Sequence, residues 1–185
     1  YFLQVANQTV IWAFVFLLPD VLSSRQYDHW ISFGGGHLFL ILGSALMMVP
    51  AGYLADKYSS RNVIFISSSS ALVLLYVFLF SPSLPPAILL SLLFLTGASM
   101  GLISPVSIAL GNRMLPNNPG LVSATLMGLA WCVSEAMGQG GGGILSTYFE
   151  GDAAAKALSV LGLFLLVAVG AASQLPSLVL EKEFE

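Results

Sequence analysis

Between Arg61 and Arg113 the sequence contains no Asp, Glu, Lys or Arg. A transmembrane helix needs roughly 20 consecutive apolar residues. The interval is long enough for two such helices, and SPSLPP at residues 81–86 supplies the break between them. The rest of the chain follows the same pattern. Apolar residues make up 57% of it, charged residues 8%, and the mean hydropathy is +0.89. A soluble domain carries about a quarter charged residues. The chain therefore reads as an all-α integral membrane protein.

Apolar runs bounded by charge and proline predict six spans, at about residues 1–18, 31–55, 63–80, 87–110, 121–148 and 155–175. They form one six-transmembrane-helix bundle over residues 1–185. Backbone groups in lipid must bond within their own segment, which makes each run a helix. Strands of a membrane barrel would alternate apolar and polar residues, and these runs do not. An even number of spans puts both termini on one side. Lys57, Arg61, Arg113 and Lys182 then share that side, with Arg25 and Lys156 opposite. The positive-inside rule makes the first side, and both termini, cytoplasmic. The expected location is multi-pass in a cytoplasmic (inner) or plasma membrane. Tyr27, Trp30, Tyr53, Tyr58 and Tyr148 fall near span ends, as an aromatic belt would. The chain opens inside an apolar span without a basic leader, so it reads as a piece of a longer protein rather than as a signal peptide.

Several functions are not expected. There is no basic stripe of the kind nucleic acid requires. No His/Cys/carboxylate cluster suits a metal, no G-x-x-x-x-G-K-[ST] loop suits a nucleotide, and no cofactor is expected. The single cysteine, Cys132, has no partner for a disulfide within the chain. GASMG at residues 97–101 matches the G-x-S-x-G nucleophile pattern. That pattern requires a strand before it and a histidine after it. Here it lies inside an apolar run, and both histidines, His29 and His37, precede it. An enzyme is not expected.

Residues 126–146, LMGLAWCVSEAMGQGGGGILS, place Glu135 inside a span. An ionisable group at the bilayer centre costs on the order of 3 kcal/mol even on lenient scales, and such groups mark ion or substrate pathways. Stepping by three and four residues gives the stripe Thr125, Gly128, Cys132, Glu135, Gln139, Gly142 and Ser146, all small or polar. That stripe is expected to face other helices or a watery cavity. Glu135 and Gln139 are the first proton- or substrate-pathway candidates; the competing reading is an interhelical hydrogen bond. Gly138 and Gly142 form a GxxxG packing pair. In the first span, Gln4, Asn7, Gln8 and Trp12 suit either a pocket wall or interhelical hydrogen bonding. His37 could relay protons or serve as a packing residue.

The loop after the second span reads GYLADKYSSRNV, residues 52–63. Its G-x-L-A-D-K-x-x-x-R pattern resembles the loop signature of the major facilitator superfamily. Gly52, Leu54, Ala55, Asp56, Lys57 and Arg61 match it. The family usually has glycine where Ser59 stands and a basic residue where Ser60 stands, departures typical of the second half of such transporters. NRMLPNNPGLVSATLMG, residues 112–128, is similar to the connection between the fourth and fifth helices of that half, most of all in the fosmidomycin-resistance-type efflux branch. The resemblance implies the C-terminal six-helix half of a secondary transporter, with substrate bound between two halves. It implies proton-coupled efflux of a small molecule by alternating access. It also implies partners: the bilayer, a substrate, protons, and a missing N-terminal half or a second copy. Asp56, Arg61 and Arg113 would form a cytoplasmic latch, and Gly52 would permit close helix approach. A non-transporting membrane subunit is the competing reading.

Overall fold

The computed structural model describes residues 1–176, and at Asp56 the backbone without the side chain. Six helices are long and apolar enough to cross a membrane: α1 (Phe2–Ser24), α2 (Ile31–Ala55), α3 (Ser60–Phe80), α4 (Pro86–Met114), α5 (Pro119–Tyr148) and α6 (Ala153–Ser173). No strand occurs among the described residues. Helix starts follow local chemistry. Pro86 and Pro119 open α4 and α5 at the first helical position, where a missing N–H costs nothing. Asp152 caps α6 by accepting from the Ala155 amide at 3.3 Å.

α1 continues past Pro19 to Ser24, beyond its expected end at residue 18. Proline has no N–H, so the carbonyl four residues earlier, on Val15, loses its helical partner. His37 of α2 replaces it: Nε2 lies 2.7 Å from the Val15 oxygen. A carbonyl only accepts, so Nε2 carries the proton. A similar substitution occurs in α6. The Leu163 amide bonds Val160 instead of Ser159, and the Tyr76 hydroxyl donates to the freed Ser159 carbonyl at 2.8 Å. Both repairs satisfy backbone groups where no water is at hand.

α1 is the central helix. Two thirds of its most apolar stretch is buried (67%), against 22% for α2 and 17% for α5. The main core joins Phe14, Leu17 and Leu18 of α1 to Leu75 and Phe78 of α3, Leu89 and Leu93 of α4, and Leu158 and Leu165 of α6. A second core, nearer the loop carrying Lys57, gathers Leu3, Ala55, Ile64, Ile103 and Ala172. α2 and α5 pack on the centre by one face each and leave their other faces open.

Glycines set the closest approaches. A Cβ on Gly43 of α2 would collide with the Phe94 carbonyl of α4, and one on Gly97 with the Leu40 carbonyl of α2. A Cβ on Gly101 would stand 2.5 Å from the Ser44 carbonyl. The G-x-S-x-G run is thus a helix-packing face. Ser99 between the glycines donates to Leu95 of its own helix at 3.0 Å.

The end opposite the Lys57 loop is tied together by Arg25. Its guanidinium donates to the Phe78 and Leu79 carbonyls at the end of α3, each at 2.9 Å, and lies 4.8 Å from the Phe78 ring centroid. Nε is 3.9 Å from Asp152, and the Arg25 side chain is 5% exposed. Burial lowers the guanidinium pKa, and Asp152 opposes that shift. Arg25 therefore links the ends of α1 and α3 to the start of α6, with the cation placed at a helix C-terminus.

Ser59, between α2 and α3, has φ +70° and is buried, with its hydroxyl unpartnered. A non-glycine residue in such a conformation costs roughly 1–3 kcal/mol. This is the position where the resembling motif carries glycine. Ser59→Gly is therefore expected to stabilise the fold by about 1 kcal/mol after the added chain entropy of glycine is subtracted. A thermal unfolding series should show a rise in midpoint; an unchanged or lower midpoint would contradict it.

Candidate functional site

A cavity of about 500 Å³ opens between α1, α2, α4 and α5, and α2 and α5 are the two least buried of the six helices. Its volume lies within the usual range for small-molecule sites. α1 contributes Gln4, Gln8 and Trp12, α2 contributes Ser44 and Met48, α4 contributes Met100 and Ser104, and α5 contributes Met127 and Trp131. Among the described residues, no Asp, Glu, Lys, Arg or His lines it.

Helical spacing builds its polar wall. Gln4 and Gln8 are one turn apart, so both amides reach the same point on α4. Gln4 Nε2 donates to Ser104 Oγ at 3.0 Å, and Gln8 Nε2 to the same oxygen at 2.8 Å. Gln4 Oε1 and Trp12 Nε1 are buried without a partner. The Trp12 and Trp131 rings meet at 5.7 Å between centroids, tilted by 52°. Ser104 was not anticipated. One serine among many in apolar runs carries no signal until α4 is set against α1.

Of the residues singled out from sequence, Gln8 and Trp12 line this cavity, as does Gln4. Asn7 does not. It is fully buried, with both amide atoms unpartnered. His37 bonds Val15 and lies outside the lining. Glu135 is exposed on α5, with Gln139 Nε2 3.5 Å from its Oε1, and neither lines the cavity.

The stripe read along α5 is rotated in the structure. Over the length of that stripe, residues 125–146, the buried positions are Ala130, Ser134, Gly138 and Gly142, spaced by four. Wide π-helical turns at Ala124–Leu129 and Ala136–Gly140 cause the shift. A π turn spans more residues than an α turn, so steps of four stay on one side. Gly138 lets α5 touch α1: a Cβ there would lie 2.5 Å from the Thr9 carbonyl and 2.7 Å from Trp12 Cβ. Gly142 faces Leu17, 3.2 Å from where a Cβ would stand. Cys132 and Glu135 point away from this contact and are exposed.

In the α2–α3 loop, Lys57 is exposed between the Tyr58 and Tyr53 rings, at 5.1 and 5.7 Å. Tyr58, then Tyr53, raise its ammonium pKa above the ordinary value. Arg61 is half-buried in the first turn of α3, and Arg113 lies in the last turn of α4. The Asp56 side chain and Lys182 lie outside the described residues. Gly52 does not make the expected close approach, because nothing lies within 4 Å of where its Cβ would be. Gly43, Gly97 and Gly101 make that approach instead, deeper in the bundle.

A family model described as Major Facilitator Superfamily matches residues 1–179. No curated protein and no solved structure matches the chain.

Proposed function

The chain belongs to the Major Facilitator Superfamily, a family of membrane transporters, and from that membership we propose that it is one six-helix half of a secondary transporter for a small molecule. The other half, or a second copy, covers the open faces of α2 and α5 and closes the cavity between α1, α2, α4 and α5. Substrate binds in that cavity, and rocking of one half against the other exposes it to each side in turn. Transport is efflux driven by protons, with Glu135 as the titrating group and Gln139 beside it. Asp56, Arg61 and Arg113 latch one state at the cytoplasmic surface, where both termini lie. The carrying observation is a cavity of small-molecule size walled in part by α2 and α5, the two least buried helices.

Alternating access is testable without knowing the substrate. Cys132 is exposed, so the background is Cys132→Ser. Met127→Cys places a thiol on the cavity wall. In the full-length protein in membranes, an impermeant thiol reagent should reach it from one side, and an imposed proton gradient should shift the rate toward the other. Rates that ignore the gradient on both sides would favour the non-transporting subunit.

Orientation has its own check. Asn117 and Glu150 are exposed loop residues at opposite ends of the bundle. A cysteine at Asn117 should react in intact cells only with reagents that enter the cytoplasm, and one at Glu150 with reagents outside. The reverse pattern would invert the topology.

A further inference from the structure

We infer that the ligand of the cavity is an uncharged, planar aromatic molecule carrying a carbonyl acceptor, and that Ser104 is the residue selecting for that acceptor. This rests on the reading of the cavity as the substrate site.

Ser104 Oγ already accepts from both Gln4 and Gln8. A hydroxyl has two acceptor lone pairs and one hydrogen. With both lone pairs engaged, the hydrogen is what Ser104 has left to offer, and the two amides restrict where it points. Trp12 lines the cavity with its ring, while its indole N–H is buried away from the open space without a partner. A ligand acceptor meets the Ser104 hydrogen here.

The remaining wall favours a flat ring. Trp12 and Trp131 present tilted aromatic surfaces 5.7 Å apart, against which a third ring packs edge-to-face or offset. Met48, Met100 and Met127, half of the six methionines in the chain, line the same space. Thioethers are polarisable, adapt to irregular shapes and make favourable contacts with rings.

Charge is disfavoured by what the wall lacks. A buried ion without a countercharge carries a large desolvation penalty, and among the described residues none of those that form this half of the wall is ionisable. A phosphonate or carboxylate would find a hydrogen-bond donor on this half of the wall but no cation.

The test uses the full-length protein in lipid nanodiscs, with binding to empty nanodiscs subtracted. Tritiated 9-fluorenone is the probe, and fluorene and fluorenone-4-carboxylate are competitors. Fluorenone should bind saturably. Fluorene, which lacks the acceptor, should compete about tenfold less well, the value of one hydrogen bond of about 1.4 kcal/mol. The carboxylate should not compete. Ser104→Ala should weaken fluorenone to the level of fluorene and leave fluorene unchanged, while Ser104→Thr keeps the hydroxyl and should restore the difference. Trp131→Ala should weaken both. Equal competition by fluorene and fluorenone in the unaltered protein would overturn the proposal, as would stronger competition by the carboxylate. If the carboxylate binds and Trp131→Ala abolishes that binding, the cavity remains the site and only the ligand class is wrong. If none of the three binds, the ligand class is again wrong, and gradient-dependent labelling at Met127 decides separately whether the cavity works as a transport site.

Discussion

Gly97→Ala is expected to loosen the bundle more than any other single methyl added to it. The new Cβ would collide with the Leu40 carbonyl oxygen. The obstacle is backbone, so no rotamer change relieves it, and α2 must move off α4. Overpacking costs roughly 1–3 kcal/mol, and a backbone clash belongs at the upper end. Gly43 meets the Phe94 carbonyl from the other side. The Gly43→Ala/Gly97→Ala pair should therefore cost less than the sum, since one separation accommodates both. Gly170 is the control, because nothing lies within 4 Å of where its Cβ would be. Gly170→Ala should be neutral or stabilising by up to about 1 kcal/mol through helix propensity alone. Thermal unfolding in one detergent compares the unaltered protein with Gly43→Ala, Gly97→Ala, the double variant and Gly170→Ala. A Gly97→Ala midpoint equal to that of Gly170→Ala would show that the α2–α4 contact is not as close as described.

Glu135→Gln is expected to have the largest effect on transport. The substitution keeps shape and hydrogen bonding toward Gln139, 3.5 Å away, but it cannot release a proton. In the assembled transporter, proton-driven movement should be lost while expression and downhill exchange remain largely intact. A retained pH dependence would leave Glu135 as a polar contact on the open face of α5. Glu135→Leu then separates the alternatives, because a merely structural carboxylate would show its loss in folding rather than in coupling.

The two predictions differ in how much of their basis was legible along the chain. Glu135 stands out in any reading, since a carboxylate within an apolar run violates the membrane's solvent rule. Its side of the helix was not legible. The three-and-four stripe put Glu135 and Gly142 on one face, whereas the π turns leave Gly142 against α1 and Glu135 exposed. Nothing in local propensity announces a π turn. Gly97 and Gly101 were visible as a motif, but a motif shared between catalytic elbows and helix packing is decided only by the neighbour. Here that neighbour is the backbone of α2.

His37 and Ser104 show the same boundary. A proline inside a helix leaves the carbonyl four residues back without its partner, but the expected first span ended before Pro19, and only the continuation of α1 to Ser24 leaves Val15 in need of one. That His37, 22 residues on, should meet it depends on how α2 crosses α1. Gln4 and Gln8 were legible as one polar face of α1, yet their shared acceptor lies about 100 residues away on α4.

Hydropathy along the chain decides that there are six spans, because hydrocarbon thickness and the cost of unpaired backbone groups act on each run separately. The residues 52–63 carry the family likeness for the same reason, as a local pattern. Which faces meet, which polar atoms find partners and where the cavity opens are settled only in the folded bundle. Those outcomes depend on helix register and crossing, to which every neighbouring helix contributes.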